Sequence, residues 1–192
     1  MSKIANYSHY LVAAFGLLVA LMVSQTANAA PANNTKYGDW LMHCSDVESP
    51  SQAAENSTEV PTEQVCALFQ SVAAENRPRF GLTILLSKDD GKTTIQSGAP
   101  KAAGLIKILV PLGVLIPTGI GMDINGTNIG LTGFLRCLPN GCTAVATLTT
   151  ETLASLMTAS SVSFTVFLTP DDGLSIPIKL NGLAAGFAAL SS

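Results

Sequence analysis

Between Arg79 and Leu86 the chain alternates, with Phe80, Leu82, Ile84 and Leu86 on one side and Arg79, Gly81 and Thr83 on the other. A period of two sets one group against a core and the other in water, so this stretch predicts a half-buried strand. Asp90-Gly91 follows within "SKDDGKTT" and suits a tight hairpin turn, because glycine accepts positive φ with no Cβ to clash. The pattern recurs in Val162, Phe164, Val166 and Leu168, and again in Leu174, Ile176, Ile178 and Leu180. "TPDDG" between these two sets predicts a hairpin. Further strands are expected over 37–44, 65–73, 105–111, 128–137 and 142–148, with Asn125-Gly126 marking another turn.

Helical spacing is rarer. Leu153, Leu156 and Met157 stand at i, i+3 and i+4 after Thr149 or Thr150, which predicts one short helix with a threonine N-cap, bridging two strands. The tail "LAAGFAALSS" from Leu183 suits a last strand or a terminal turn of helix equally well. The segment 102–122 is largely apolar and carries a single charge, Lys107. Pro111, Pro117 and four glycines make it a poor helix, so a strand followed by an apolar loop is the expectation there. About eight to ten short strands separated by turns indicate an antiparallel sandwich or barrel. A membrane barrel would carry aromatic girdles, and after residue 29 the chain has one Trp, one Tyr and six Phe.

The N-terminus changes how the cysteines are read. Lys3 precedes the apolar run "LVAAFGLLVALMV", and Ala27-Asn28-Ala29 follows it. This predicts a secretory signal peptide over 1–29 with a single domain over 30–192. As a helix the apolar run would span only about 20 Å, short of a bilayer's hydrocarbon core, so no transmembrane span is expected in the mature chain. Removing Lys3 takes the formal charge from −3 to −4, and with no basic patch to neutralise phosphates, nucleic acid is excluded as a partner. Charged residues are 12% of the chain, about half the usual share, so Ser, Thr, Asn and Gly must do much of the wetting.

Chemistry is sparse. Four cysteines, Cys44, Cys66, Cys137 and Cys142, form an even number in an exported chain, which favours disulfides. A thioredoxin-type site needs C-x-x-C at a helix start, whereas "RCLPNGC" spaces its cysteines by four residues around a turn. Zinc would need all four cysteines to converge, because His43 is the one histidine beyond the signal segment. A hydrolase triad would have to use His43 too, and there is neither a G-x-S-x-G nor a phosphate-binding loop. Asp89-Asp90 and Asp171-Asp172 both precede a glycine and read as turn carboxylates. No catalytic residue, cofactor or metal is expected.

"YGDWLMHC", "CALFQSV", "ILVPLGVLIPTGIGMDING" and "FLRCLPNGC" together resemble the invasion-associated locus B family of bacterial exported proteins, over about 37–190. The resemblance implies an immunoglobulin-like antiparallel β-sandwich, a place in the periplasm or cell envelope with secretion as a further possibility, and a non-enzymatic role assisting host-cell invasion. The implied partner is an unidentified envelope or host protein. The alternative class is a periplasmic small-ligand carrier or enzyme whose site is not legible in one sequence. Of the three possible pairings, local ones join Cys44 to Cys66 and Cys137 to Cys142, bracing the sandwich with two disulfides. The segment 45–64 carries Asp46, Glu48, Glu55, Glu59 and Glu63 with no basic residue, and is expected to be a flexible, anionic loop.

Overall fold

The computed structural model describes residues 34–48, 62–89 and 102–190, all within the unit Pro31–Ser192. The expected signal segment, the Asp90-Gly91 turn and the middle of the acidic segment lie outside the described residues.

Eleven strands are described: β1 Lys36–Tyr37, β2 Trp40–Glu48, β3 Thr62–Ala74, β4 Arg77–Lys88, β5 Gly104–Val110, β6 Ile120–Ile124, β7 Thr127–Thr132, β8 Phe134–Leu138, β9 Gly141–Leu148, β10 Val162–Thr169 and β11 Asp172–Pro177. They form a seven-stranded sheet in the order β1-β2-β3-β4-β5-β9-β8 and a four-stranded sheet in the order β11-β10-β6-β7. Every pairing is antiparallel. The two sheets enclose one apolar core, to which alternate residues of each strand contribute: Leu82, Ile84 and Leu86 from β4, Ile106, Ile108 and Val110 from β5, Val162, Phe164 and Val166 from β10. The fold is therefore an all-β sandwich, one of the two architectures the alternation allows and the one the family resemblance implies.

Two helices are described among these residues, not the single one expected from the sequence. Helix α1, Thr150–Met157, starts where Thr149 Oγ1 accepts from the Thr152 amide at 3.2 Å. Helix α2, Leu183–Ala189, resolves the ambiguity of the tail. Its Gly186 lies so close to β3 that a Cβ there would stand 2.8 Å from Leu68 Cδ2. Small residues thus let α2 seal one end of the sandwich.

Four expected strand boundaries shift for identifiable reasons. The stretch 37–44 is not one strand, because the turn at Gly38-Asp39 folds β1 back onto β2, with Tyr37 opposite Trp40. The stretch 128–137 divides at Gly133, where the chain leaves the small sheet and enters the large one. The loop after β5 holds a short 3-10 turn, Ile116–Thr118, and then β6. The expected loop 45–64 is shorter, since Ser45 pairs with Val65, Asp46 with Gln64 and Glu48 with Thr62. Its acidic residues near both ends are drawn into the hairpin by the backbone ladder, which does not depend on side-chain polarity.

Both disulfides lie within the large sheet and join neighbouring strands. Cys44 and Cys66 are directly opposed on β2 and β3, with Cα atoms 4.0 Å apart. Cys137 and Cys142 are opposed on β8 and β9 at 3.9 Å. The connection between the latter is tighter than a four-residue turn, since Leu138 pairs with Gly141 and leaves Pro139-Asn140 alone in the turn. Gly141 has φ +135, and a Cβ there would meet Val110 O at 2.3 Å, so only glycine lets β9 begin at that point.

Candidate functional site

None of the described cysteines is free, so no thiolate is present for redox or zinc chemistry in this oxidised form. His43 sits exposed on the outer face of β2, its Nδ1 3.2 Å from Asn34 Oδ1. Asp172 does more than shape a turn: its Oδ2 accepts from Arg77 Nη2 at 2.8 Å, linking β11 to the start of β4. Glu151 is the one described group with a resolved shift. Its own backbone amide, and then the Thr149 hydroxyl, hold the carboxyl below the ordinary 4.5, as hydrogen bonds to the charged form do.

Two surfaces stand out instead. The first is the outer face of the seven-stranded sheet. Antiparallel sheets usually turn a polar face to water, yet here the ladder brings apolar side chains into line. Leu41 lies opposite Phe69, Phe69 opposite Leu85, Leu85 opposite Lys107 and Lys107 opposite Val145. A second line places His43 opposite Ala67 and Ser87 opposite Leu105. Gly133, Phe134 and Leu135 rise beside these lines and complete a groove of about 1090 Å³. Among the described residues no acidic side chain lines it, so none of those facing His43 and Ser45 supplies the carboxylate of a hydrolytic triad.

The second surface is the edge where both sheets end. β7 closes the small sheet and β8 the large one, and the two are consecutive in the chain. Each carries a bulge. In β7, Gly130 pairs with Met122 and Asn128 with Asp123, leaving Ile129 as the extra residue. In β8, Phe134 pairs with Ala144 and Arg136 with Thr143, leaving Leu135 extra. A bulge re-aims the side chain it releases, and both released side chains are apolar and turned to solvent, at 42% and 70% exposure. Leu131, at 64%, and Leu138 extend the same edge. The opposite edges are guarded differently: β1 is two residues long, and β11 begins with Asp172 and ends with Pro177. β7 has neither a charge nor a proline, and among the described residues no strand pairs with its outer side, the arrangement that suits a further strand.

Of the residues on these surfaces, the sequence singles out His43 and Lys107, neither of them for a surface role. One signal was available: Ala67-Leu68-Phe69, Ile84-Leu85-Leu86 and Leu105-Ile106 are apolar on both faces of strands whose alternation otherwise asks for a polar side.

The invasion associated locus B (IalB) protein family profile matches residues 40–191. Among solved structures, a crystal structure of invasion associated protein B from Bartonella henselae superposes with a TM-score of 0.56 at 15% identity, covering 81% of this chain and 92% of that one. At that identity the likeness speaks for the fold. No curated protein matches the chain.

Proposed function

The chain belongs to the invasion associated locus B family, and from that premise we propose that it is exported and assists host-cell association by binding another protein. In this reading it catalyses no reaction. The observation that supports it is the β7–β8 edge: two consecutive edge strands, each with a bulge presenting an apolar side chain, and Arg136 as the only charged residue between Asn125 and Gly141. Strand addition to such an edge draws affinity from main-chain hydrogen bonds and specificity from side chains on alternate positions. The chemistry recognised would be an extended segment with apolar residues on one face and a carboxylate within reach of Arg136.

Genetic complementation tests this. A strain lacking the protein should lose host-cell association, and the wild-type chain should restore it. Leu131→Asp should be exported and folded, because the side chain is exposed, yet fail to restore association. Unchanged association in the deletion strain would remove the invasion role, and full rescue by Leu131→Asp would remove the edge as its site.

A further inference from the structure

The groove on the outer face of the large sheet has a feature that a protein-docking edge does not explain. Among the described residues Lys107 is the only Lys, Arg, Asp or Glu that lines the groove, and its ammonium forms no ion pair with any of them. From Lys107 the cross-strand ladder runs over Leu85, Phe69 and Leu41, three strands with no polar side chain in the line. At about 4.8 Å between strands this apolar track is roughly 14 Å long. One leaflet of a bilayer, half of a hydrocarbon core of about 30 Å, is filled by acyl chains of about that length. On the far side of Lys107 stands Val145, its ladder partner on β9, and the bulged Leu135 lines the same groove. A volume near 1090 Å³ lies just above the range of about 300–1,000 Å³ of small-molecule pockets, which are mostly apolar with a few polar groups that fix orientation.

The geometry points to a binding site for a single-chain anionic amphiphile, with a carboxylate on Lys107 Nζ and its tail lying across β4, β3 and β2. One cation at one end of an apolar track complements one anion on one chain. Neutral and cationic amphiphiles of equal length lack the charge-assisted hydrogen bond that sets the orientation. The site adjoins the β7–β8 edge and shares the bulged Leu135 with it, but Leu131 and Ile129 of β7 do not line the groove.

The experiment is displacement of a dansyl-labelled fatty acid from the exported protein by laurate, dodecanol and dodecylamine, each below its aggregation concentration. Laurate should displace the probe with one-to-one stoichiometry, and dodecanol about tenfold less well, the scale of one charge-assisted contact. Dodecylamine should be weaker still. Lys107→Met should abolish the preference for laurate over dodecanol while leaving dodecanol binding and the thermal melt unchanged. Leu135→Asp, at an exposed position, should weaken all three ligands. Absence of saturable displacement, laurate binding no better than dodecanol, or a preference that survives Lys107→Met would each overturn the assignment. So would a dimer in solution that Leu135→Asp dissociates, because the groove would then be covered by a second copy.

Discussion

Gln70 is the only buried polar residue among those described, and both polar atoms of its side chain have backbone partners distant in the chain. Its Nε2 donates to Lys179 O at 2.9 Å and to Asp39 O at 3.3 Å, while its Oε1 accepts from Lys179 N at 2.9 Å. Trp40 Nε1 donates to the same Lys179 carbonyl at 2.8 Å. These bonds tie the chain after β11 to β2 and β3 where no ladder reaches it. Gln70→Leu would keep the volume but strand a buried amide and weaken a carbonyl's solvation, so it should cost about 2 kcal/mol in urea unfolding. A change under about 0.5 kcal/mol would show that water replaces these bonds. Asn125 is similar in kind: it adopts φ 52 at the β6–β7 turn, and its Oδ1 accepts from the Ser160 and Ser161 amides at 2.9 and 3.1 Å. Asn125→Ala should therefore cost about 1–2 kcal/mol through lost bonds and a strained left-handed turn. At Glu151 the carboxyl's ionised form is the one favoured by folding. Its stabilising effect is present above the ordinary carboxylate range and fades as pH falls through the lowered value. An NMR titration should find its midpoint below 4.5, and Thr149→Ala should raise it.

At the scale of elements, the disulfides and α2 give the clearest expectations. The Cys44–Cys66 bridge encloses a longer loop than Cys137–Cys142, 22 residues of separation against 5. Loop-closure entropy therefore assigns them roughly 3.5 and 2 kcal/mol. Replacing each pair by alanines should destabilise in that order by chemical denaturation, and the reverse order would mean that the clasp at Pro139-Asn140 holds β8 by more than chain entropy. Gly186→Leu should loosen α2 from β3 by about 1–3 kcal/mol, because the added atoms would enter space held by Leu68 and the Tyr37 Cβ. Strands such as β4 and β10 are legible in the sequence because one face is buried and the other is not. β6 is hidden for the opposite reason: it runs Ile-Gly-Met-Asp-Ile with only Asp123 less than buried, so no alternation marks it. The break between β7 and β8 is hidden as well, since Gly133 interrupts a run that keeps its period while changing sheets. α2 is ambiguous because Ala and Gly fit a close-packed helix and a plain tail alike.

For the whole molecule, the sandwich and its family could be read from the sequence, whereas its surfaces could not. The groove depends on register, which brings Leu41, Phe69 and Leu85 into one line from positions far apart in the chain. The β7–β8 edge depends on sheet order, which leaves consecutive strands as the outer members of two different sheets. Neither relation is local, so neither leaves a mark in a window of residues. Both surfaces suit a protein that works by contact, and the edge is the one on which the proposed role rests. The most direct measurement places a photoreactive amino acid at Leu131 and, in a separate chain, at Asp171 on the β10–β11 turn, then irradiates bacteria during host-cell contact. Position 131 should give one discrete adduct with a bacterial envelope or host protein that position 171 does not give. No adduct from 131, or the same adducts from both positions, would contradict the account.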